Sequence, residues 1–212
     1  MTIFDIETSS LPEDKLNLVK PEFSAPGNYK KPEAIRDYII DAENAWKDRA
    51  ALSAITGEVI AIGYAGLFSS KGASIMSQMD GNESGLLQSF WDLWSASQER
   101  FVGFNIVGFD LPFLFQRSII NGVSVPPDLR EGRWWNSRFV DLQQVWCCYS
   151  NRTEGQSLDA ICKACGFGGK VGRGKDFAGL WRTDRKAAET YLLRDVEITC
   201  ALAMRMLAHE SH

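Results

Sequence analysis

Asp5 and Glu7, in the opening stretch Thr2-Ile3-Phe4-Asp5-Ile6-Glu7-Thr8, have the type and spacing to hold a hard cation. Apolar residues flank both acids, and such alternation predicts a strand buried on at least one face. Residues two apart in a strand point the same way, so the two carboxylates project side by side while Phe4 and Ile6 pack beneath. Held that close on a buried strand they repel. Each must then take a raised pKa or share a cation, and a divalent metal with oxygen ligands is the usual solution. Asp-x-Glu alone is common on solvated strand edges, so the weight of the pair comes from residues further along.

Two later stretches supply acids of the same kind. Asp110 stands in Gly103-Phe104-Asn105-Ile106-Val107-Gly108-Phe109-Asp110-Leu111-Pro112-Phe113-Leu114, where Asp110 and Pro112 mark a helix start and Gly122 its stop. Capping free N–H groups would explain an acid there without any chemistry. Near the C-terminus, Tyr191 and Asp195 lie four apart on a helix running from about Asp184 to Ala208, sharing a face with Ala188 and Thr199. A phenol and a carboxylate on the core side of an apolar helix are costly without partners.

The elements that must position these residues follow from pattern. About residues 8–57 form an insertion after the first strand: turn-rich sequence, then a helix over Pro32–Leu52 whose role is packing or forming a wall over a site. Glu58–Leu67 and Ala73–Met79 flank the turn 69–72 as a hairpin, giving an antiparallel meander with the first strand. Asp80 with Glu83 matches a capping box ahead of a helix through Leu86, Phe90 and Trp94. Phe101–Phe104 and Phe139–Val145, the latter carrying Asp141, read as strands, and Ser157 caps a short helix that Gly166 ends. Strands in a run that then alternate with helices predict an α/β architecture, a mixed sheet flanked by helices and consistent with a ribonuclease-H-like core. The 212 residues suit a single domain over 1–212.

Composition narrows the classes. A net charge of −4 argues against bulk electrostatic nucleic-acid binding, so phosphate contact must come from local patches or bound metal. No membrane span or leader pattern stands out, which points to a soluble, cytoplasmic chain. Five cysteines without framework spacing suggest reduced thiols, and Cys162-Lys-Ala-Cys165 lacks a second ligand pair for zinc, so core packing is the better reading. Arg130, Arg133 and Arg138 interleave with Trp134 and Trp135, a composition suited equally to a single strand and to a loop with its tryptophans turned inward. Residues 166–175 hold five glycines with Lys170, Arg173 and Lys175, either a basic loop that closes on a strand or a plain flexible one.

Phe4-Asp5-Ile6-Glu7-Thr8, Asn105-x-x-x-Phe109-Asp110-x-Pro112-Phe113-Leu114 and Tyr191-x-x-x-Asp195 resemble, in order and spacing, the three motifs of the DEDD superfamily of 3′-5′ exonucleases. These are the DnaQ-like enzymes that include the proofreading domains of family B DNA polymerases. Thr190 stands where the histidine branch has its His, and Tyr191 fits the tyrosine branch. The resemblance implies that Asp5, Glu7, Asp110 and Asp195 hold two Mg²⁺ or Mn²⁺ ions, with Asp5 touching both. It further implies that Leu11 wedges against the terminal base, although Ser9-Ser10 replaces a common Thr-Gly before it. Thr8 would meet the terminal nucleotide, and Asn105 and Phe109 the substrate strand. Arg133, Trp134, Lys170 and Arg173 complete the expected substrate contacts.

On that resemblance the expected activity is release of nucleotides from the 3′ end of single-stranded nucleic acid, DNA before RNA, in replication or repair. Tyr191, with an ordinary pKa near about 10, is a poor base and suits holding the attacking water or a phosphate oxygen. A polymerase or other replication protein would be a separate chain. An exoribonuclease, an inactive nucleic-acid-binding module of the same fold, and a structural partner subunit are the alternatives.

Overall fold

The computed structural model describes residues 1–79, 81–130, 138–150 and 156–208. The chain divides into two compact units, Thr8–Glu58 and the rest, Met1–Glu7 with Val59–His212. The larger unit is built on a five-stranded sheet in the order β3-β2-β1-β4-β5. Its strands are β1 (Thr2–Ser10), β2 (Gly57–Gly66), β3 (Ser74–Ser77), β4 (Phe101–Gly103) and β5 (Phe139–Asp141). β2 and β3 pair antiparallel as the hairpin expected from sequence, whereas β1, β4 and β5 run parallel. The sheet is therefore mixed, with the acid-bearing strand at its centre.

β1 obeys the period-two expectation. Phe4 and Ile6 are buried, and Phe4 joins Phe90 and Phe101 in an aromatic cluster with Trp91 and Trp94 of α3 (Glu83–Ala96). Ile3 belongs to a second core with Val102, Val140, Val196 and Leu202, the last two on α8 (Arg185–Met206). Alternation then puts Asp5 and Glu7 on the same side of the sheet as α8. Gly63 of β2 lets that helix come close: a Cβ there would fall 2.7 Å from Val196 Cγ2 and 2.9 Å from Leu192 Cδ1.

Two expectations need correction. Phe139–Val145 is not one strand: β5 ends at Asp141, whose side chain accepts from Gln143 N and caps α5 (Leu142–Trp146). Glu83 forms no capping box: the cap of α3 is Asn82, which accepts from Gly85 N. Glu83 instead lies buried, accepting from Val59 N and from Arg117 of α4 (Asp110–Ile120); Asp80 falls outside the described residues. Of the arginines whose segment suited either a nucleic-acid strand or a plain loop, Arg138 pairs with Asp128 at 2.7 Å and donates to the Trp94 carbonyl. As expected, Ser157 caps α6 (Leu158–Ala164). Cys162 is buried with its Sγ toward Ile198 O, and the described cysteines are free thiols. A further helix not anticipated, α7 (Gly174–Thr183), packs Phe177 against Tyr191.

The smaller unit holds α1 (Glu13–Leu18) and α2 (Pro32–Asp48), the latter shorter than the Pro32–Leu52 expected and closing into a 3-10 turn, Ala50–Leu52. Leu11, Leu16 and Ala50 form its core with Trp46 against them. Among the described residues no helix is long and apolar enough to cross a membrane.

Candidate active site

β1 outruns its neighbour. Thr2 pairs with Phe101 and Ile3 with Val102, so β4 stops at Gly103 while β1 continues through Asp5 and Glu7. Past that end the chain folds across the top of the sheet as the loop 104–109, which delivers Asp110 to the start of α4. Asp110 Oδ1 accepts from the backbone N–H of Ile6 at 3.1 Å, between the two strand acids. From α8, Asp195 completes the group. One carboxylate oxygen each from Asp5, Glu7 and Asp195 lie within 4.8 Å of one another. Asp110 is not among those three, although its charge acts on both Asp5 and Glu7.

The cluster is nearly dry: Glu7, Asp110, Tyr191 and Asp195 are buried and Asp5 is half-buried. Burial pushes the Asp5 carboxyl up to about 7, with Lys170 pulling it back and Asp195 adding to the rise. Burial likewise holds Glu7 well above the usual carboxylate range, and Asp5 and Asp195 beside it act in the same sense. Asp110 is raised by burial and by Asp5. Asp195 is raised by burial against the opposing pull of Lys170. Burial, then the Asp195 and Glu7 charges, lift the Tyr191 phenol above its ordinary value.

Among the described residues, one cation sits with these acids. Lys170 Nζ bonds Asp195 Oδ2 at 2.5 Å and lies 5.7 Å from the Tyr191 ring centroid. Burial works to lower its pKa, and the attraction of Asp5 and Asp195 overrides that and raises it. The glycine-rich segment around it is anchored: Lys170 N donates to Asp159 Oδ1, Arg194 donates to the Phe167 carbonyl, and the Gly172 backbone lies against the Tyr191 ring. Asp195 Oδ1, by contrast, is buried with no hydrogen-bond partner among the described residues. An orphaned buried carboxylate oxygen is costly. With three converging carboxylates and all-oxygen donors, the residues fit a hard divalent cation.

The remaining sequence candidates are placed as follows. Asn105 adopts φ +61° and folds its amide against Gly108, and the Phe109 ring packs tilted against Phe113 at 5.4 Å between centroids. Arg173 is exposed and pairs with Asp176, on the rim of a cleft of about 510 Å³ that Gly172, Phe177, Lys186 and Tyr191 also line. In the smaller unit the Thr8 hydroxyl donates to Ala51 O, and Leu11 is buried in the core there. Arg133 and Trp134 lie outside the described residues. Sequence reasoning singled out no role for Asp141, which accepts from the amides of Asn105 and Val107. A lone Asp directly before a helix pattern was the available signal.

A mixed five-stranded sheet flanked by helices, with the strand order observed here, is a ribonuclease-H-like fold. The chain belongs to the family described as predicted 3'-5' exonucleases related to the exonuclease domain of PolB, whose model matches residues 52–212. Asp110, Tyr191 and Asp195 fall inside that stretch; Asp5 and Glu7 precede it. Among solved structures, the family B DNA polymerase from the hyperthermophilic archaeon Pyrobaculum calidifontis is similar, with a TM-score of 0.66 and 19% identity over 97% of this chain and 24% of that one. This chain thus spans about a quarter of that polymerase's length, and at that identity the likeness establishes the fold. No curated protein matches the sequence.

Proposed function

We propose that this chain is a two-metal-dependent 3′-5′ exonuclease that hydrolyses phosphodiester bonds at the 3′ end of single-stranded nucleic acid, DNA in preference to RNA. The observation that carries this is the convergence of Asp5, Glu7 and Asp195, with Asp195 Oδ1 buried and lacking a hydrogen-bond partner among the described residues, in a member of an exonuclease family. Asp5, Glu7, Asp110 and Asp195 would hold Mg²⁺ or Mn²⁺. Bound there, the ions supply acidification of the attacking water and neutralisation of charge on the departing 3′ oxygen.

This chain's own residues do the positioning. Tyr191 keeps its proton at neutral pH, because its pKa is raised further by burial and by Asp195 and Glu7. It therefore donates a hydrogen bond, holding the attacking water or a phosphate oxygen, and does not act as base. Lys170 remains charged and stands beside Asp195, where its ammonium can meet a phosphate oxygen of the scissile group. Asn105 and Phe109, on the loop that delivers Asp110, face the strand, and Arg173 with the cleft beside Tyr191 takes the nucleotides upstream of the cut. Thr8 and Leu11 are assigned to the terminal nucleotide by the motif resemblance, and Arg133 and Trp134 to the strand by the basic and aromatic composition of their segment.

The test is digestion of a 5′-labelled single-stranded DNA with Mg²⁺ or Mn²⁺, beside RNA of the same sequence and an Asp5→Ala control. A ladder shortening from the 3′ end, absent in the control, is expected, with DNA cut faster. Tight binding of both oligonucleotides without cleavage would replace this reading with an inactive binding module.

A further inference from the structure

Asp141 is a buried acid outside the cluster, at the end of β5 and level with Gly103 in the β4–β5 register. Its Oδ1 accepts from the amides of Asn105 and Gln143, at 2.9 Å each, and its Oδ2 from the amide of Val107 at 3.0 Å. The two amides of the loop 104–109 are thus gathered onto one carboxylate. Asn105, held this way, sits at φ +61°, a left-handed conformation that asparagine adopts more readily than most residues other than glycine. The loop is then closed on itself. Gly108 N and Phe109 N donate to the Asn105 carbonyl, Leu111 N donates to the Ile106 carbonyl, and Asp110 begins the helix with its oxygen on Ile6 N. There is no slack on the opposite side either: a Cβ on Gly108 would fall 2.2 Å from Asn105 Oδ1.

We propose that Asp141 is a positioning residue for the nuclease site: by holding the amides of Asn105 and Val107 it sets the loop that aims Asp110 at the strand acids and Asn105 at the substrate. It touches neither metal nor substrate and acts through the backbone of its neighbours. The role rests on the exonuclease reading for its catalytic meaning, but its effect on cation binding can be read without any substrate. A carboxylate suits it because both oxygens accept. In Asp141→Asn one oxygen becomes an N–H₂ group facing a backbone N–H, so one loop anchor becomes a donor–donor contact.

The experiment compares wild type, Asp141→Asn and Arg117→Met. Mn²⁺ affinity is measured by calorimetry without nucleic acid, kcat and KM on a labelled single strand, and Tm in EDTA. Arg117→Met breaks a buried ion pair away from the site and reports what lost stability alone does. Asp141→Asn is expected to weaken Mn²⁺ binding at least fivefold and lower kcat at least tenfold with KM within twofold. Arg117→Met should lower Tm with both quantities within twofold of wild type. Wild-type Mn²⁺ affinity and kcat in Asp141→Asn overturn the proposal, whatever its Tm. Where Asp141→Asn does not fold, Gly108→Ala perturbs the same loop with Asp141 intact; the same signature supports the role and wild-type values overturn it. A wild-type protein that binds Mn²⁺ but cuts nothing, with weaker binding in Asp141→Asn, removes the exonuclease reading and leaves the positioning role standing.

Discussion

Two buried charged clusters lie in the same unit and are built oppositely. Around Glu83 every charge is answered: the carboxylate accepts from Val59 N at 2.8 Å, from Arg117 Nε at 2.9 Å and from Asn121 Nδ2 at 3.0 Å, and pairs with Arg117 Nη2. Around Asp195, the carboxylates of Asp5, Glu7 and Asp195, with Asp110 acting on Asp5 and Glu7, meet one ammonium among the described residues, that of Lys170, and Asp195 Oδ1 has no hydrogen-bond partner among those residues. Four negative charges against one positive leave a formal −3 if all ionise. The first arrangement ties α3, α4 and β2 together and asks nothing of solvent. The second is under-neutralised in a place water barely reaches, which is the electrostatic condition for taking up cations.

The largest expected effect separates the clusters by activity. Asp5→Asn should cost at least about 10³-fold in kcat/KM, or about 4 kcal/mol of transition-state stabilisation, while raising Tm in EDTA because it relieves repulsion. A lower Tm in EDTA would mean that the acid cluster is structural like the other. Arg117→Met should do the reverse. Leaving Glu83 buried and unpaired costs about 3–5 kcal/mol, read as a drop in denaturant midpoint, with kcat unchanged below the melting range. Tyr191→Phe should fall between: removing a hydrogen bond to a charged group costs about 1.5–3 kcal/mol, about a 10- to 100-fold loss in kcat, and stability should hardly move. A loss as large as that of Asp5→Asn would make the phenol more than a positioning donor.

The two clusters also differ in how far they can be read from sequence. Asp5 with Glu7 and Tyr191 with Asp195 were visible because strand and helix periods place them by local geometry, and the structure brings Asp5, Glu7 and Asp195 together. Glu83 was misread, since Asp80-x-x-Glu83 satisfies a local capping pattern while its partner Arg117 is 34 residues away and meets it only through the packing of α4 on α3. Asp141 disappeared inside an over-long strand for a related reason. Its capping of α5 is local, but its bonds to Asn105 and Val107 depend on β5 lying beside β4. α7 was hidden by the preceding glycines, though Phe177, Leu180 and Trp181 carry helical spacing and pack around Tyr191. Chemistry repeated along one element is legible; a charge answered from another element is not.

The two clusters also respond differently to pH, by a smaller margin. Burial raises the pKa of Asp5 to about 7 and raises those of Glu7, Asp110 and Asp195 as well, all in the same direction. The folded, metal-free protein therefore binds protons that the unfolded chain has already lost. That contribution to stability is complete below the ordinary carboxylate range and disappears as pH rises through the folded-state values. Lys170, raised in the opposite class of group, keeps its proton throughout and does not alter the trend. In EDTA the Tm of wild type should fall between pH 5 and pH 8, and Asp5→Asn should fall less, having lost one titrating acid and eased the charge on Glu7. Saturating Mn²⁺ should flatten or reverse the slope, because cations bind the deprotonated oxygens. Arg117→Met should lie at a lower Tm than wild type across the whole range. Equal slopes in wild type and Asp5→Asn, in EDTA and in Mn²⁺, would show that the acids around Asp195 are as closed a system as Glu83 and Arg117.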